Sequence, residues 1–257
     1  DPATAPLLKD MRGPGGKPRV CKKVWISYLT GSPDKPGEGF GKLTAGYGAR
    51  RNPNLDGGKI GPEYTFGIYM QKIVDEPVLL IKTAWGGKSI HKDFRPPSSG
   101  GLTGEFYQKM LAEYRESLAN LGDEFPQLAK LKPKLTGFVW FQGWNDMFDD
   151  DALREHEANL INLVRDVRKE FNQPDLPVVI GELGNGGPDA GKNMLSIRAA
   201  QKAAAKALGP NTTFVQTTQF ARLAKESPNV GHGHHWYGNA ESYFLTGDAL
   251  GPALSTL

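Results

Sequence analysis

Three short polar segments carry the residue types of an acyl-transfer site. They are residues 85–89 (WGGKS), residues 142–146 (QGWND) and residues 231–236 (GHGHHW). Glycine N–H groups and side-chain amides can stabilise the oxyanion that develops when an acyl carbonyl is attacked. Histidine exchanges protons near neutral pH because its unperturbed pKa is about 6.5. Together these residue types favour ester hydrolysis through a hydroxyl nucleophile.

The amide-bearing segment at residues 142–146 follows the apolar run GFVWF at residues 137–141. An apolar run that ends at a glycine flanked by Gln142, Asn145 and Asp146 is typical of a buried strand that delivers amide donors to a site. In open parallel sheets, ligands bind at the carboxyl ends of the strands. A strand-to-loop turn capped by Asn145 is the alternative interpretation, and the neighbouring tryptophans favour contact with a ligand.

The glycine pair within residues 85–89 follows another apolar run, VLLI at residues 78–81. Such a pair lets the backbone turn sharply and leaves N–H groups that can point at a ligand. An ordinary tight turn is the alternative interpretation. A third glycine-bearing strand end, at residues 181–187, contains Glu182, for which we expect a buried, paired carboxylate with a structural role.

Three of the five histidines lie within residues 232–235, in a predicted loop before the last helix. This cluster is open to three interpretations: a metal site, a solvated loop without a role, and a general base that activates a hydroxyl nucleophile. The lack of nearby cysteines or a matched carboxylate pair in the sequence disfavours the metal site. His91 and His156 lie apart from the cluster, and we expect His156 on the surface of a helix.

Apolar runs predict five strands, and segments of helical spacing predict five helices. The expected strands are residues 24–29, 78–81, 135–141, 176–183 and 213–217. The expected helices are residues 63–74, 106–121, 152–171, 194–208 and 239–254. Strands that alternate with helices predict an α/β protein with a parallel sheet of about five strands, covered on both faces. The Gly- and Pro-rich residues 30–60 predict a long loop, a kind of loop that tends to be functional.

The composition argues against several classes of protein. The 257 residues include 31 basic and 28 acidic ones, and a net charge of +3 does not favour nucleic acid or an anionic membrane as the main partner. No apolar run in the sequence is long enough for a membrane span. Cys21 is the single cysteine, which excludes a disulfide framework within the chain. The sequence also lacks the glycine motifs of phosphate-loop and dinucleotide-binding proteins.

The order of these motifs resembles the SGNH-hydrolase superfamily, and within it the sialate O-acetylesterase and acetylxylan esterase branch (carbohydrate esterase family six and its bacterial relatives). The similarity starts near Val24 and covers most of the chain. It rests on GPE at residues 61–63, WGGKS at 85–89, WFQG at 140–143, GWND at 143–146, IRAAQ at 197–201 and HHW at 234–236. The resemblance implies a three-layer α/β/α sandwich with a flavodoxin-like parallel sheet, as a single domain over residues 1–257.

Two departures from the family pattern concern the catalytic groups. The family's nucleophilic serine lies in a Gly-Gln-Ser-Asn segment after the first strand, and this chain has no such segment. We therefore expect the N-terminal strand and its serine to lie outside the 257 residues. Ser27 and Ser89 do not sit in a Gly-x-Ser-x-Gly elbow, and we expect Ser89 to form hydrogen bonds near the site. The family also has an aspartate three residues before its catalytic histidine, where this chain has His232.

The resemblance implies hydrolysis of O-acetyl esters on sugars of the sialic acid or xylan type. His235 corresponds to the histidine that takes the proton of the serine and passes it to the departing sugar hydroxyl. The N–H of Gly87 and the side chain of Gln142 or Asn145 correspond to the groups that hold the oxyanion.

The tryptophans Trp85, Trp144 and Trp236 are expected to stack on the sugar, with core packing as the alternative interpretation. No metal or organic cofactor is required for this chemistry. The expected partner is an acetylated carbohydrate, and neither nucleic acid nor a membrane span is expected. The oligomeric state is open, and a secreted or periplasmic location is favoured by the resemblance alone. A non-catalytic carbohydrate-binding protein on the same fold is the alternative function, favoured by the missing serine and the substituted aspartate.

Overall fold

The computed structural model describes residues 4–28, 39–48 and 59–257. Much of the predicted loop at residues 30–60 lies outside the described residues, as does Leu29 at the end of the first predicted strand. The strands are β1 (Val24–Ser27), β2 (Phe40–Lys42), β3 (Val78–Ile81), β4 (Phe138–Trp140), β5 (Val178–Gly181) and β6 (Thr212–Val215). The α-helices are α1 (Leu8–Met11), α2 (Pro62–Ile73), α3 (Glu105–Ala119), α4 (Leu121–Glu124), α5 (Asp150–Glu170), α6 (Lys192–Leu208) and α7 (Ala240–Ser255).

Every strand and helix expected from the sequence has an observed counterpart, with ends that differ by a few residues. The α/β class is therefore confirmed. Strand β2 was not expected, because its short segment FGK contains a glycine and has no run of β-branched or aromatic residues. Among the described helices, none combines the length and the apolar character that crossing a membrane requires.

The chain divides into two compact units. Unit 1 comprises Asp1–Ala84, Glu113–Pro133 and Ala240–Gly251, and unit 2 comprises Trp85–Ala112, Lys134–Asn239 and Pro252–Leu257. The expected parallel sheet is found as two three-stranded sheets, in the orders β2-β1-β3 and β4-β5-β6. All pairings are parallel except that of β2 with β1. The single domain over residues 1–257 stays a prediction.

The sheet of unit 1 has β1 at its centre, and β1 is buried along its whole length. Alternate side chains of a strand point to opposite faces of the sheet. Val24 and Ile26 pack with Tyr64 of α2 on one face, whereas Trp25 packs with Phe125 on the other. Helices and turns therefore cover both faces of this central strand, as its continuous apolar run predicts.

Helices α2 and α7 approach each other closely in unit 1 through Gly247. The Thr65 hydroxyl donates a hydrogen bond to the Phe244 carbonyl at 2.8 Å. A Cβ at Gly247 would overlap with the Pro62 carbonyl oxygen and with the Thr65 hydroxyl. We therefore expect Gly247→Ala to destabilise the protein by about 1–3 kcal/mol, despite the better helix propensity of alanine. Urea denaturation measures this change in the free energy of unfolding.

Gly122 provides the matched control for this substitution because it is another helical glycine of unit 1. A Cβ at Gly122 would meet the Ala129 Cβ at 3.5 Å, an ordinary van der Waals distance. Gly122→Ala should therefore leave the free energy of unfolding unchanged or raise it slightly. Equal stability of the two variants would contradict a steric role for Gly247.

The core of unit 2 lies between its sheet and the inward face of α5. Val178 and Ile180 of β5 pack there with Leu160 and Leu163 of α5, and all four side chains are fully buried. His156 precedes Leu160 by one helical turn and is likewise fully buried. The expectation that His156 lies on the surface is therefore wrong. Its position on the apolar face of the helix decides its burial, and its polar side chain does not.

Candidate active site

The glycine pair after β3 forms an exposed turn at the start of unit 2. Gly87 has a φ of +73°, a left-handed conformation that glycine adopts without strain. Within the described part of the chain, the Gly87 N–H has no hydrogen-bond acceptor. The turn thus leaves a backbone donor available to a ligand.

The structure distinguishes the two amides that follow β4. Gln142 Nε2 donates to the Lys88 carbonyl at 2.9 Å and to Asp146 Oδ2 at 2.6 Å, so its donors have partners within the protein. Asn145 Nδ2 would lie 3.7 Å from a Cβ at Gly87. No hydrogen bond of the half-buried Asn145 side chain occurs among the described residues. Asn145 and Gly87 therefore form a pair of neighbouring donors that are not used by the fold.

The histidine loop forms one side of the same region. The rings of His234 and His235 have centroids 4.4 Å apart, and the His234 ring lies 5.8 Å from the Trp144 ring. His232, His234 and His235 are all exposed. Asn185 fixes the loop, since its Nδ2 donates to the Gly233 carbonyl at 3.0 Å.

The two residues after the histidine cluster have an unusual backbone conformation. Trp236 and Tyr237 have φ values of +51° and +53°, which cost about 1–2 kcal/mol each for residues with a side chain. The Trp236 ring is buried and stacks on Phe141 with a centroid separation of 6.5 Å. This packing offsets the strain and fixes the direction in which the chain leaves His235.

The three tryptophans of the sequence hypothesis therefore occupy different environments. Trp85 is half-buried and packs edge-on against Phe106 at 5.1 Å, while Trp236 is buried against Phe141. Trp144 is half-buried and packs near both the His234 ring and the exposed Phe148 ring, with centroid distances of 5.8 and 6.1 Å. Sugar-stacking roles for all three stay predictions, and Trp144 is the one beside the histidine cluster.

A network of charged groups fixes the segment that follows the glycine turn. Arg95 Nη1 and His91 Nδ1 both lie within hydrogen-bonding distance of Glu155 Oε2, at 3.0 and 3.1 Å. The hydrogen bond from Arg95 lowers the pKa of Glu155, which remains a carboxylate at neutral pH. Ser89 donates its hydroxyl to Asp93 Oδ2 at 3.2 Å, so it does form the expected hydrogen bond in this segment.

The sequence predicted the burial of the Glu182 carboxylate but not that of the Asp146 carboxylate. Glu182 is buried, as expected, and accepts hydrogen bonds from the backbone N–H groups of Thr217 and Thr218. Asp146 is fully buried and bonded to residues of the glycine segment, a role that the sequence did not reveal. The available signal was its position directly after the amide-bearing turn, where a carboxylate follows an apolar strand.

The structure thus brings Gly87, Asn145 and the histidine cluster into one region of unit 2. Gly87 adjoins Asn145, the next residue Trp144 contacts His234, and His234 contacts His235. The catalytic roles of these residues stay predictions. Among the described residues, no group of three or more His, Cys, Asp or Glu is arranged to hold a metal ion.

Comparison with known proteins gives a family match and two similar solved structures. The family model for the carbohydrate esterase, sialic acid-specific acetylesterase, matches residues 49–240. An Arabidopsis thaliana protein is similar with a TM-score of 0.62 and 18% identity, over 93% of this chain and 82% of its own. A carbohydrate acetylesterase from Xanthomonas citri gives a TM-score of 0.60 and 17% identity, over 91% of this chain and 49% of its own.

No curated protein shows a significant match to the chain. The identities to the two solved structures are low, so those likenesses concern the fold. Together with the parallel strand pairings flanked by helices, they confirm the expected α/β/α fold class. This chain spans about half the length of the Xanthomonas citri protein, as the 49% coverage states.

Proposed function

This chain belongs to the carbohydrate esterase family of sialic acid-specific acetylesterases, and we propose that it hydrolyses O-acetyl esters of carbohydrates by a serine–histidine mechanism. The membership confirms the resemblance to sialate O-acetylesterases, whereas the acetylxylan branch stays a prediction. A structurally similar protein is itself a carbohydrate acetylesterase. The observation that carries the proposal is the pair of unused donors at Gly87 and Asn145 beside the histidine cluster.

In the proposed mechanism, a serine hydroxyl attacks the acetyl carbonyl while His235 accepts the hydroxyl proton. The Gly87 N–H and Asn145 Nδ2 donate to the oxyanion that forms on the carbonyl oxygen. His235 then protonates the sugar oxygen, which departs as a hydroxyl as its bond to the acyl carbon breaks and the acetyl-serine remains. Water attacks the acetyl-serine while His235 accepts a water proton, and His235 returns a proton to the serine oxygen as acetate leaves. Trp144 supplies an apolar ring on which the sugar stacks.

Gln142 takes a positioning role in this proposal, in place of direct oxyanion binding. Its side-chain NH₂ group donates to two acceptors within the protein, the Lys88 carbonyl and Asp146. Its backbone carbonyl also accepts a hydrogen bond from Gln201 Nε2 at 2.9 Å. These bonds keep the turn after β4 beside the glycine turn, so that Asn145 faces Gly87.

Acetate release from defined substrates, measured with protein that includes the expected serine-bearing strand, tests the proposed function. O-acetylated sialic acid and acetylated xylo-oligosaccharides should be compared, with their deacetylated forms as binding controls. We expect acetate release from at least one acetylated sugar, with the sialic acid ester as the better substrate. Measurable sugar binding without acetate release would instead favour a carbohydrate-binding protein, the alternative that His232 at the expected aspartate position supports.

A fluorophosphonate probe tests the serine mechanism separately. The probe should label one serine and stop acetate release, and mass spectrometry of the labelled peptide identifies that serine. Labelling should depend on His235, because the histidine activates the hydroxyl. Full acetate release after complete exposure to the probe would contradict a serine nucleophile.

A further inference from the structure

Asp146 is a buried carboxylate that adjoins Asn145, and the proposed reaction gives it no direct role. Its side chain is fully buried, and its two oxygens accept the Ile90 N–H, each at 3.1 Å. Oδ1 also accepts the His91 N–H at 3.1 Å, and Oδ2 accepts from Gln142 Nε2 at 2.6 Å. His156 Nδ1 lies 3.8 Å from Oδ1, too far for a hydrogen bond but within the range of an ion pair.

These contacts join two segments that are far apart in sequence. Ile90 and His91 follow the glycine turn that contains Gly87, whereas Gln142 and Asp146 belong to the turn that contains Asn145. Gln142 adds a second connection through its hydrogen bond to the Lys88 carbonyl. The carboxylate is therefore the point at which the two donor-bearing turns are attached to each other.

Buried charge is costly unless several hydrogen bonds compensate it, and the same bonds hold their donors in place. Displacements of about 1 Å in an oxyanion site are enough to lower the rate strongly. We propose that Asp146 is a positioning residue that sets the spacing between the Gly87 N–H and the Asn145 amide. The inference rests on the proposed function, because it concerns the geometry of the same site.

Asp146→Asn tests the proposal because asparagine keeps the size of the side chain and replaces one acceptor oxygen with a donor. The new NH₂ group would face either the Gln142 NH₂ group or the Ile90 and His91 N–H groups, so the hydrogen bonds that attach the two turns should be weakened or lost. We expect kcat to fall by about 10–100-fold with KM changed less than about threefold, since positioning residues behind a site commonly have effects of this size. The initial rate of acetate release gives both constants.

Asp166→Asn is the matched control, since Asp166 is another buried carboxylate that fixes a loop of unit 2. It accepts hydrogen bonds from the Ser98 N–H at 2.9 Å and from the Ser98 hydroxyl at 2.5 Å, away from the proposed donors. Loss of hydrogen bonds to this carboxylate should lower the melting temperature without lowering kcat of the folded protein. Equal losses of kcat in both variants would overturn the proposal.

A double-mutant cycle separates positioning from a general structural effect. If Asp146 acts through Asn145, Asp146→Asn should cause little further loss of kcat in an Asn145→Ala background. Full additivity of the two losses would overturn the proposal, as would wild-type kcat in the single variant. If Asp146→Asn does not fold, Gln142→Met interrupts the same connection, and it should lower kcat with little change in KM.

Hydrogen exchange keeps this test distinct from a test of the proposed function. If the unchanged protein releases acetate from no ester, the proposed function fails. In that case, faster amide exchange of Ile90 and His91 in Asp146→Asn than in Asp166→Asn still supports attachment of the two turns by Asp146. Unchanged exchange at those amides would overturn the positioning role itself.

Discussion

Replacing His235 with alanine is expected to lower kcat for O-acetyl ester hydrolysis by about 10²–10⁴-fold, the range typical for loss of a general base. The serine hydroxyl then has no side chain to accept its proton, and the departing sugar oxygen has none to protonate it. Because the His235 side chain is exposed, its removal should change the free energy of unfolding by less than about 0.5 kcal/mol. Acetate release and thermal unfolding of the same preparation measure both effects.

The adjacent histidines supply the comparison that makes this result specific. His234→Ala removes the ring that contacts both His235 and Trp144, and His232→Ala removes the side chain at the expected aspartate position. We expect smaller losses of kcat from each of these changes than from His235→Ala. A larger loss for His234→Ala would move the general base to His234, and undiminished activity of His235→Ala would refute the assignment.

Much of the fold could be predicted because it depends on local patterns. The continuous apolar run at Val78–Ile81 indicates a strand whatever its partners are, and the structure has β3 over those residues. The paired glycines after it likewise predict a sharp turn, and Gly87 does adopt a left-handed conformation. Such features need only the chain within a few residues of each position.

Hydrogen-bond partners depend on contacts between distant segments, and there the sequence was insufficient. Gln142 and Asn145 are chemically similar amides in the same turn, so composition gave no reason to prefer either as an oxyanion donor. The difference arises because the Lys88 carbonyl and Asp146 accept hydrogen bonds from Gln142, while Asn145 adjoins Gly87. Only the folded arrangement of two turns shows which amide is already used.

Burial of polar side chains was difficult to predict for a related reason. His156 was expected on the surface of a helix and Asp146 had no assigned role, yet both side chains are fully buried. His156 lies on the apolar face of α5, in the core of unit 2. Asp146 lies after β4 and binds the Ile90 and His91 N–H groups of the segment after the glycine turn. A periodicity argument applied to His156 as strictly as to Leu160 would have predicted its burial.

The second large effect that we expect is a loss of kcat when Asn145, the amide without a hydrogen-bond partner in the described part of the fold, is replaced. We expect Asn145→Ala to lower kcat by about 10²–10³-fold, because removal of one oxyanion donor typically costs this factor. The melting temperature should stay close to that of the unchanged protein. Among the residues that the structure describes, the Asn145 side chain has no hydrogen bond that the substitution would remove. Acetate-release kinetics and thermal unfolding again provide the two measurements.

Gln142→Ala should lower kcat less than Asn145→Ala does, because Gln142 only positions the turn, and unlike that variant it should also destabilise the protein. It removes hydrogen bonds to the Lys88 carbonyl and to the buried Asp146 carboxylate, and loss of such partners destabilises a protein by about 1–3 kcal/mol. Asn193→Ala is the control for Asn145→Ala, because it also removes an asparagine side chain. That side chain is exposed and donates to the Met147 carbonyl, so its loss should leave kcat close to the original value. If Gln142→Ala lowered kcat as much as Asn145→Ala without loss of stability, Gln142 would be the oxyanion donor. The two substitutions therefore decide between amides that the sequence alone could not separate.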